Sequence, residues 1–434
     1  MPSRRFLPIL SVAAVLAGAG LFTLVAHTRA PRRPNVVVIL VDTLRADHLP
    51  AYGYARDTAP FLQTLAAEGV VFENAWSTSS WTAPATASLF TSLHPQQHGV
   101  VHGLDRNTTD GRRLVNRIPA AVETLAEMFK DAGYLTLGVS DNAHVSRETG
   151  FDQGFDEFES ATGATAERLH KWVRDHRPRM AKQPYFLYVH YVEPHEPYLP
   201  REPWYSQYAR DGRAHPTHAK FVDAYDSEIR SLDDGLGRLY RACGWSEDTV
   251  VIVTSDHGEE FGDHGGGGHA HSLYSEVLRV PLVVHGVPGA VPHRVDEPVS
   301  LIDVMPTLRE LIGRPADARA EGLSLLGLLR GGGQGFDRPL FAHLVQFETG
   351  RIWEATIEGE WKRLRLRPGA PQLYNLADDP QEAHDLSETL PSVAAALDRR
   401  GSALAARMPV LPAAVDTAVS PQTAESLRAL GYAR

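Results

Sequence analysis

Four uninterrupted apolar runs punctuate the chain, at Asn35–Val41 (NVVVILV), Tyr185–Tyr191 (YFLYVHY), Thr249–Thr254 (TVVIVT) and Pro281–His285 (PLVVH). Each has the length of a strand and no polar alternation, as a strand buried on both faces requires. Between them, apolar positions recur at helical spacing over 59–69, 118–133, 164–174, 218–241 and 301–313. Strands alternating with helices predict an α/β fold, a mostly parallel sheet sandwiched by helices. Ligands of such sheets bind beyond the carboxyl ends of the strands, so chemistry is expected just after each run. Past Leu340 the texture changes. Residues 349–376 alternate and carry turn signals, predicting an antiparallel hairpin or meander, followed by a helix over 387–407 and a Pro/Ala-rich tail. The Gly331-Gly332-Gly333 run reads as a linker. It separates a main domain over 34–330 from a smaller C-terminal antiparallel subdomain and tail over 338–434.

Residues 1–33 have a different character. Arg4 and Arg5 precede an uncharged run from Phe6 to Ala26, and Arg29, Arg32 and Arg33 follow it. A secretory apolar region is about 7–15 residues long and a spanning helix about 20, so the run fits an uncleaved anchor as well as a cleaved signal. Either reading sends the body out of the cytoplasm, to the periplasm or the cell exterior, and leaves membrane association through residues 6–26 open.

Charge narrows the partners. The chain holds 43 basic and 53 acidic side chains, and all five charges of the first 33 residues are arginines. The body is left with 38 basic against 53 acidic groups, about −15. Such a field disfavours a nucleic-acid partner. Cys243 is the sole cysteine, which excludes a disulfide framework and a cysteine-based zinc site.

Four positions after strands or at turns carry chemistry-bearing atoms. Asp42 ends the first run in VDTLRADHL; His195 follows the second in VHYVEPHEPY; Asp256 and His257 end the third in VTSDHGEEFGDHGGGGHAHS. Thr82 opens the stretch SSWTAPATASLFTSLHPQQHGV, whose Leu89, Phe90 and Leu93 form a helix-like stripe. Alone, each has a plain structural explanation: a helix cap for an Asp or Thr, a turn for a His between prolines. Together at one sheet edge, two carboxylates, an imidazole and a hydroxyl suit Mg²⁺, Mn²⁺ or Ca²⁺. Thr82 at a helix N-terminus, with Pro84 in the first turn, also turns the positive helix end toward an incoming phosphate.

These stretches, with LYSEVLRVPLVV, SLIDVMPTL and QLYNLADDPQEAHDL, resemble in order and spacing the sulfatase family of the alkaline phosphatase superfamily. The resemblance runs from about Pro34 to Leu386. It implies an alkaline phosphatase/sulfatase-like fold, a catalytic domain over 34–330 and ester-hydrolase activity. It also exposes two departures. The family's Cys-x-Pro-Ser-Arg, whose cysteine becomes formylglycine, is here Thr82-Ala83-Pro84-Ala85-Thr86, and the second family Asp after Asp42 is Thr43. A threonine in that slot looks like the lipoteichoic acid synthases and other phosphoryl-transferring relatives. Carried over residue by residue, the resemblance implies one divalent ion on Asp42, Thr82, Asp256 and His257: Mn, Mg or Ca, with Zn as an alternative. It gives Thr82 the nucleophile's role and points to His195 and His271 as acids. Of the pair His269 and His271, His271 is preferred for the position of the family lysine. Asn142, His144 and His269 are weaker substrate-binding candidates, and Arg45 and Asp47 are expected to orient Asp42 from behind.

The function expected is thus an exported metal-dependent hydrolase or transferase of phosphate (di)esters, working through a Thr82 intermediate on a small-molecule or envelope-polymer ester. The alternatives are a sulfuric-ester hydrolase without formylglycine and a non-catalytic exported binding protein.

Overall fold

The computed structural model describes residues 33–101, 114–160, 165–211, 219–245, 248–333, 335–346, 349–408 and 415–429. The export run at 6–26 lies outside them. Among the described residues no helix is long and apolar enough to cross a membrane.

The main sheet is built from β1 (Asn35–Val41), β2 (Val70–Trp76), β4 (Leu135–Ser140), β5 (Glu157–Ser160), β6 (Tyr185–Tyr191), β7 (Thr249–Thr254), β8 (Arg279–His285), β9 (His293–Val295) and β10 (Val299–Ser300). A short pair, β3 (Leu114–Arg117) with β15 (Val415–Ala418), lies apart from it. The order across the main sheet is β10-β2-β8-β7-β1-β6-β4-β5, with β9 also against β2. All pairings are parallel except the two made by β8, to β7 and to β2. β8 runs backwards because the segment between β7 and β8 holds only a one-turn helix, Ser275–Leu278, and no crossover that could return the chain in parallel.

β1 shows why these runs form central strands. Val36, Val38 and Leu40 belong to one buried cluster, while Val37, Ile39 and Val41 belong to the other. The first cluster includes Leu89 and Phe90 of helix Thr82–Thr91 and Leu308 of helix Val304–Leu311. The second takes Leu62 of helix Pro60–Ala67, Leu169 of helix Ala166–Met180 and Tyr225 of helix Ala219–Cys243. Helices thus cover both faces. The helix expected over 118–133 is shorter, Leu125–Asp131, because Thr124 and Glu127 form a reciprocal cap that starts it there.

The C-terminal strands β11 (Leu340–Gln346), β12 (Arg351–Glu358), β13 (Trp361–Arg367) and β14 (Pro371–Asn375) make a separate antiparallel sheet, with helix Pro391–Arg407 following. It braces the segments that matter below. His343 N donates to Thr78 O, Gln346 Nε2 donates to His271 O, and buried Lys362 pairs with Glu382 at 2.8 Å.

Candidate metal and nucleophile site

Strand register assembles the site. Leu40 lies level with His190 on one side and Thr254 on the other, and Ser140 is level with His190. Residues at or just beyond these carboxyl ends therefore converge: Asp42 after β1, Asn142 after β4, His190 within β6, and Asp256 and His257 after β7. All five are buried.

Ligand atoms of Asp42, His190 and Asp256 lie within 4.8 Å of one another. His190 Nε2 is 3.4 Å from Asp42 Oδ2, and His257 Nε2 is 3.6 Å from both Asp42 Oδ1 and Asp256 Oδ2. The surroundings orient these groups. His257 Nδ1–H donates to Gly258 O (2.8 Å), which turns the bare Nε2 to the carboxylates; His190 Nδ1 bonds Tyr188 OH (3.0 Å). Asn142 Nδ2 donates to Asp42 Oδ2 at 2.6 Å, while Asp256 Oδ1 accepts from His257 N and Thr43 N. Thr43 is strained for this duty: a β-branched residue at φ 55°.

Asp42 Oδ1, Asp256 Oδ2 and His190 Nε2 make no hydrogen bond, although each is buried. Burial opposes ionisation of Asp42, yet His190, His195 and His257 hold it well below the usual carboxylate range. Asp256 is driven the opposite way, first by burial and then by the charge of Asp42. Two buried carboxylates that cannot comfortably share one site, with oxygen and imidazole atoms left unbonded, fit a hard divalent cation.

Thr82 lies beside this cluster, its Oγ1 3.4 Å from His257 Nε2. It is the first helical residue; Trp81 occupies the cap position in extended conformation. All ten residues of that helix are buried, so the hydroxyl is fixed by packing along the helix's whole length.

A second layer of imidazoles covers the first. The His269 ring lies 4.5 Å from that of His257 and 4.8 Å from that of His195. Burial lowers His195, and His144 falls to about 3 for the same reason. His269 goes up, because Glu259, bonded to its Nδ1 at 2.9 Å, outweighs burial. His271 is not in this layer: its Nε2 bonds Glu260 Oε2 at 2.5 Å. The structure sets His269, and not the His271 preferred from sequence, against His257, and one backbone angle accounts for it. Ala270 adopts φ 62°, so the two flanking histidines diverge to different glutamates.

The other sequence candidates are placed as follows. Asn142 supports Asp42 directly, and His144 packs edge-on to Trp81 at 5.3 Å. Arg45 joins Asp47 and Asp263 and donates to Glu259 O at 2.9 Å, so it braces the loop after β7 where orientation of Asp42 had been expected. Sequence reasoning passed over His190 and Glu259. An imidazole inside an otherwise apolar strand was the available signal for the first; the second offered none beyond its nearness to His257.

The sulfatase family model matches residues 34–314. The chain belongs to the sulfatase family. It is 26% identical over 432 residues to "Uncharacterized sulfatase YidJ" of Escherichia coli (strain K12), covering 83% of this chain and 84% of that protein. It is also 26% identical over 474 residues to "Multifunctional alkaline phosphatase superfamily protein PehA" of Trinickia caryophylli, covering 82% and 91%. Among solved structures, the phosphonate monoester hydrolase of Agrobacterium radiobacter shares the fold at a TM-score of 0.69 and 21% identity, over 90% of this chain and 100% of that one. This sulfatase-family chain is thus an ester hydrolase of the alkaline phosphatase superfamily, a family whose enzymes bind a divalent metal.

Proposed function

We propose that this family member is an exported phosphate-ester hydrolase or transferase, acting on phosphodiesters or phosphonate esters of a small molecule or envelope polymer through a covalent intermediate on Thr82. The observation that carries the reading is the hydroxyl at position 82, held 3.4 Å from His257 at the start of a wholly buried helix. Formylglycine chemistry needs an oxidisable residue there, and threonine is not one. Export is inferred from the arginine-flanked uncharged run at 6–26.

Asp42, Asp256, His190 and His257 would hold the divalent ion, whose charge neutralises the anionic ester oxygens. The chain's own residues do the rest. Thr82, deprotonated at Oγ1, attacks phosphorus at the positive end of its helix. The Oγ1–P bond forms as the bond to the leaving oxygen breaks, and His269 gives that oxygen a proton. In the second step His269 Nε2 takes a proton from the attacking water or acceptor alcohol as its oxygen bonds phosphorus and the Oγ1–P bond breaks, which restores the acid. Thr82 Oγ1 regains from solvent the proton it had released there. His195, with Nδ1–H held by Glu196 O, stands beside His269 to bond an ester oxygen.

A second reading, a sulfuric-ester hydrolase without formylglycine, draws on the relatives named as sulfatases. A sulfothreonine lacks the second hydroxyl through which formylglycine expels sulfate, and this favours phosphorus. The test is intact-protein mass spectrometry after rapid quench: a phosphoryl adduct is expected that Thr82→Ala cannot form. Phosphodiester or phosphonate turnover should exceed sulfate turnover at least about tenfold in kcat/KM, about 1.4 kcal/mol. Steady sulfate hydrolysis at a comparable rate would restore the second reading.

A further inference from the structure

We propose that Glu259 is the positioning residue of the proton-donating imidazole: it fixes His269 by a buried carboxylate–Nδ1 hydrogen bond, so that Nε2 serves the leaving oxygen. This rests on the phosphoryl-transfer reading above and adds to it a residue whose role is separable from that of Thr82.

The carboxylate is placed from three directions. Glu259 is fully buried, its N–H donates to Glu276 O at 3.2 Å, and its carbonyl accepts from Arg45 Nη1 at 2.9 Å. Arg45 is itself clamped between Asp47 and Asp263. Oε1 then meets His269 Nδ1 at 2.9 Å. Since a carboxylate only accepts, Nδ1 carries the hydrogen.

The imidazole side is equally fixed. Glu260 and Gly268 exchange both backbone hydrogen bonds, at 2.7 and 3.0 Å, and close the loop that carries His269. Ala270 N donates to Ser80 O at 2.9 Å, tying that loop to the turn two residues before Thr82. The donor and the nucleophile are therefore parts of one hydrogen-bonded frame. A purely structural role predicts little here. A buried carboxylate–imidazole pair is a poor source of stability, because desolvation offsets its attraction. Its position against the His257 and His195 rings gives it a chemical reason to exist.

When the phosphorus–oxygen bond breaks, the proton moves from His269 Nε2 to the departing oxygen, while Nδ1–H stays with Glu259. Loss of that anchor hurts most where the leaving group is a poor one, since a good one departs with little help from an acid.

The experiment uses the metal-loaded full chain and a series of aryl phosphodiesters running from 4-nitrophenyl to phenyl and alkyl. Glu259→Gln is expected to lose about 30-fold more kcat/KM on the poorest leaving groups than on the 4-nitrophenyl ester, within the range of losses seen for residues that orient a reacting group. The selective part should appear in kcat, with KM little changed. Glu260→Gln, which cuts the matching His271 pair, should leave the leaving-group dependence as in the wild type. Loss of equal size across the series in Glu259→Gln overturns the proposal, as does a selective loss found in Glu260→Gln alone. Should Glu259→Gln fold poorly, His269→Asn provides the second measurement. It must show the same selective loss, and adding Glu259→Asp to it must bring no further selectivity. The Thr82 adduct is scored in the same samples. Its absence from the wild type defeats the phosphoryl reading while leaving the Glu259 result to stand or fall by itself.

Discussion

His190 illustrates how a candidate ligand hides. It sits one residue before the end of β6 in a run that is otherwise apolar, and its neighbours make it read as core. Asp42, Asp256 and His257 were legible because each follows a strand, where polar atoms have no packing reason to be. His190 became visible only when register set it level with Leu40 and Ser140. Replacing Asp256 with Asn is expected to lower bound divalent metal at least tenfold, and His190→Ala should weaken it in the same direction, both read by elemental analysis after gel filtration. Two ions per chain in the wild type would contradict the single site. The choice between His269 and His271 was unreadable for a different reason. It depends on a positive φ at Ala270, a conformation the sequence does not announce because it is not a glycine.

At the scale of elements, the loop between β7 and β8 approaches its neighbour without slack. A Cβ at Gly258 would lie 1.9 Å from Glu276 O, while Gly258 N donates to Val277 O at 3.0 Å. Gly258→Ala should therefore force 257–260 outward, cutting kcat/KM at least about 100-fold and lowering Tm. Helix Ala219–Cys243 carries a pH-dependent cost. Burial pushes Glu228 up to about 8 despite Arg201 beside it, and the charge of Glu193, from the His195 loop, adds to the rise. Its folded pKa lies above the unfolded one, so the group favours folding below about pH 4.5, and that support is lost as pH rises toward 8. Glu228→Gln should accordingly gain Tm relative to the wild type between pH 5 and 8, then hold a constant difference. A Tm gap that is flat from pH 5 to 9 would refute this. The apolar runs that form β1, β6 and β7 were plain in the sequence. β2 was not, because Glu73 and Asn74 interrupt it where its register with β8 shifts.

Across the whole molecule, the C-terminal sheet is tied to the site through buried charge. Lys362 and Glu382 are both fully buried and paired at 2.8 Å, and Glu382 also accepts from Ser275 N, three residues after Ser272 in the loop that carries His269. Lys362→Met leaves that carboxylate without its cation and should cost about 3–5 kcal/mol in denaturant unfolding. The double variant with Glu382→Gln is expected to recover part of the loss. The antiparallel character of this sheet was readable from alternation over 349–376, but its role as a brace was not, since that depends on contacts with residues far away in sequence. The reversed direction of β8 has a consequence in time. β7 and β8 are neighbours in sequence as well as in the sheet, so Asp256, His257, Glu259 and His269 belong to a hairpin that can close locally. β1, made first, has to wait for β6 before one of its edges is paired and for β7 before the other is. Local closures form fast and distant ones slowly. A growing chain therefore keeps one edge of this apolar strand unpaired until the segment around Thr254 has emerged, and for a protein proposed to leave the cytoplasm this delay preserves a state that can still be threaded through a membrane pore.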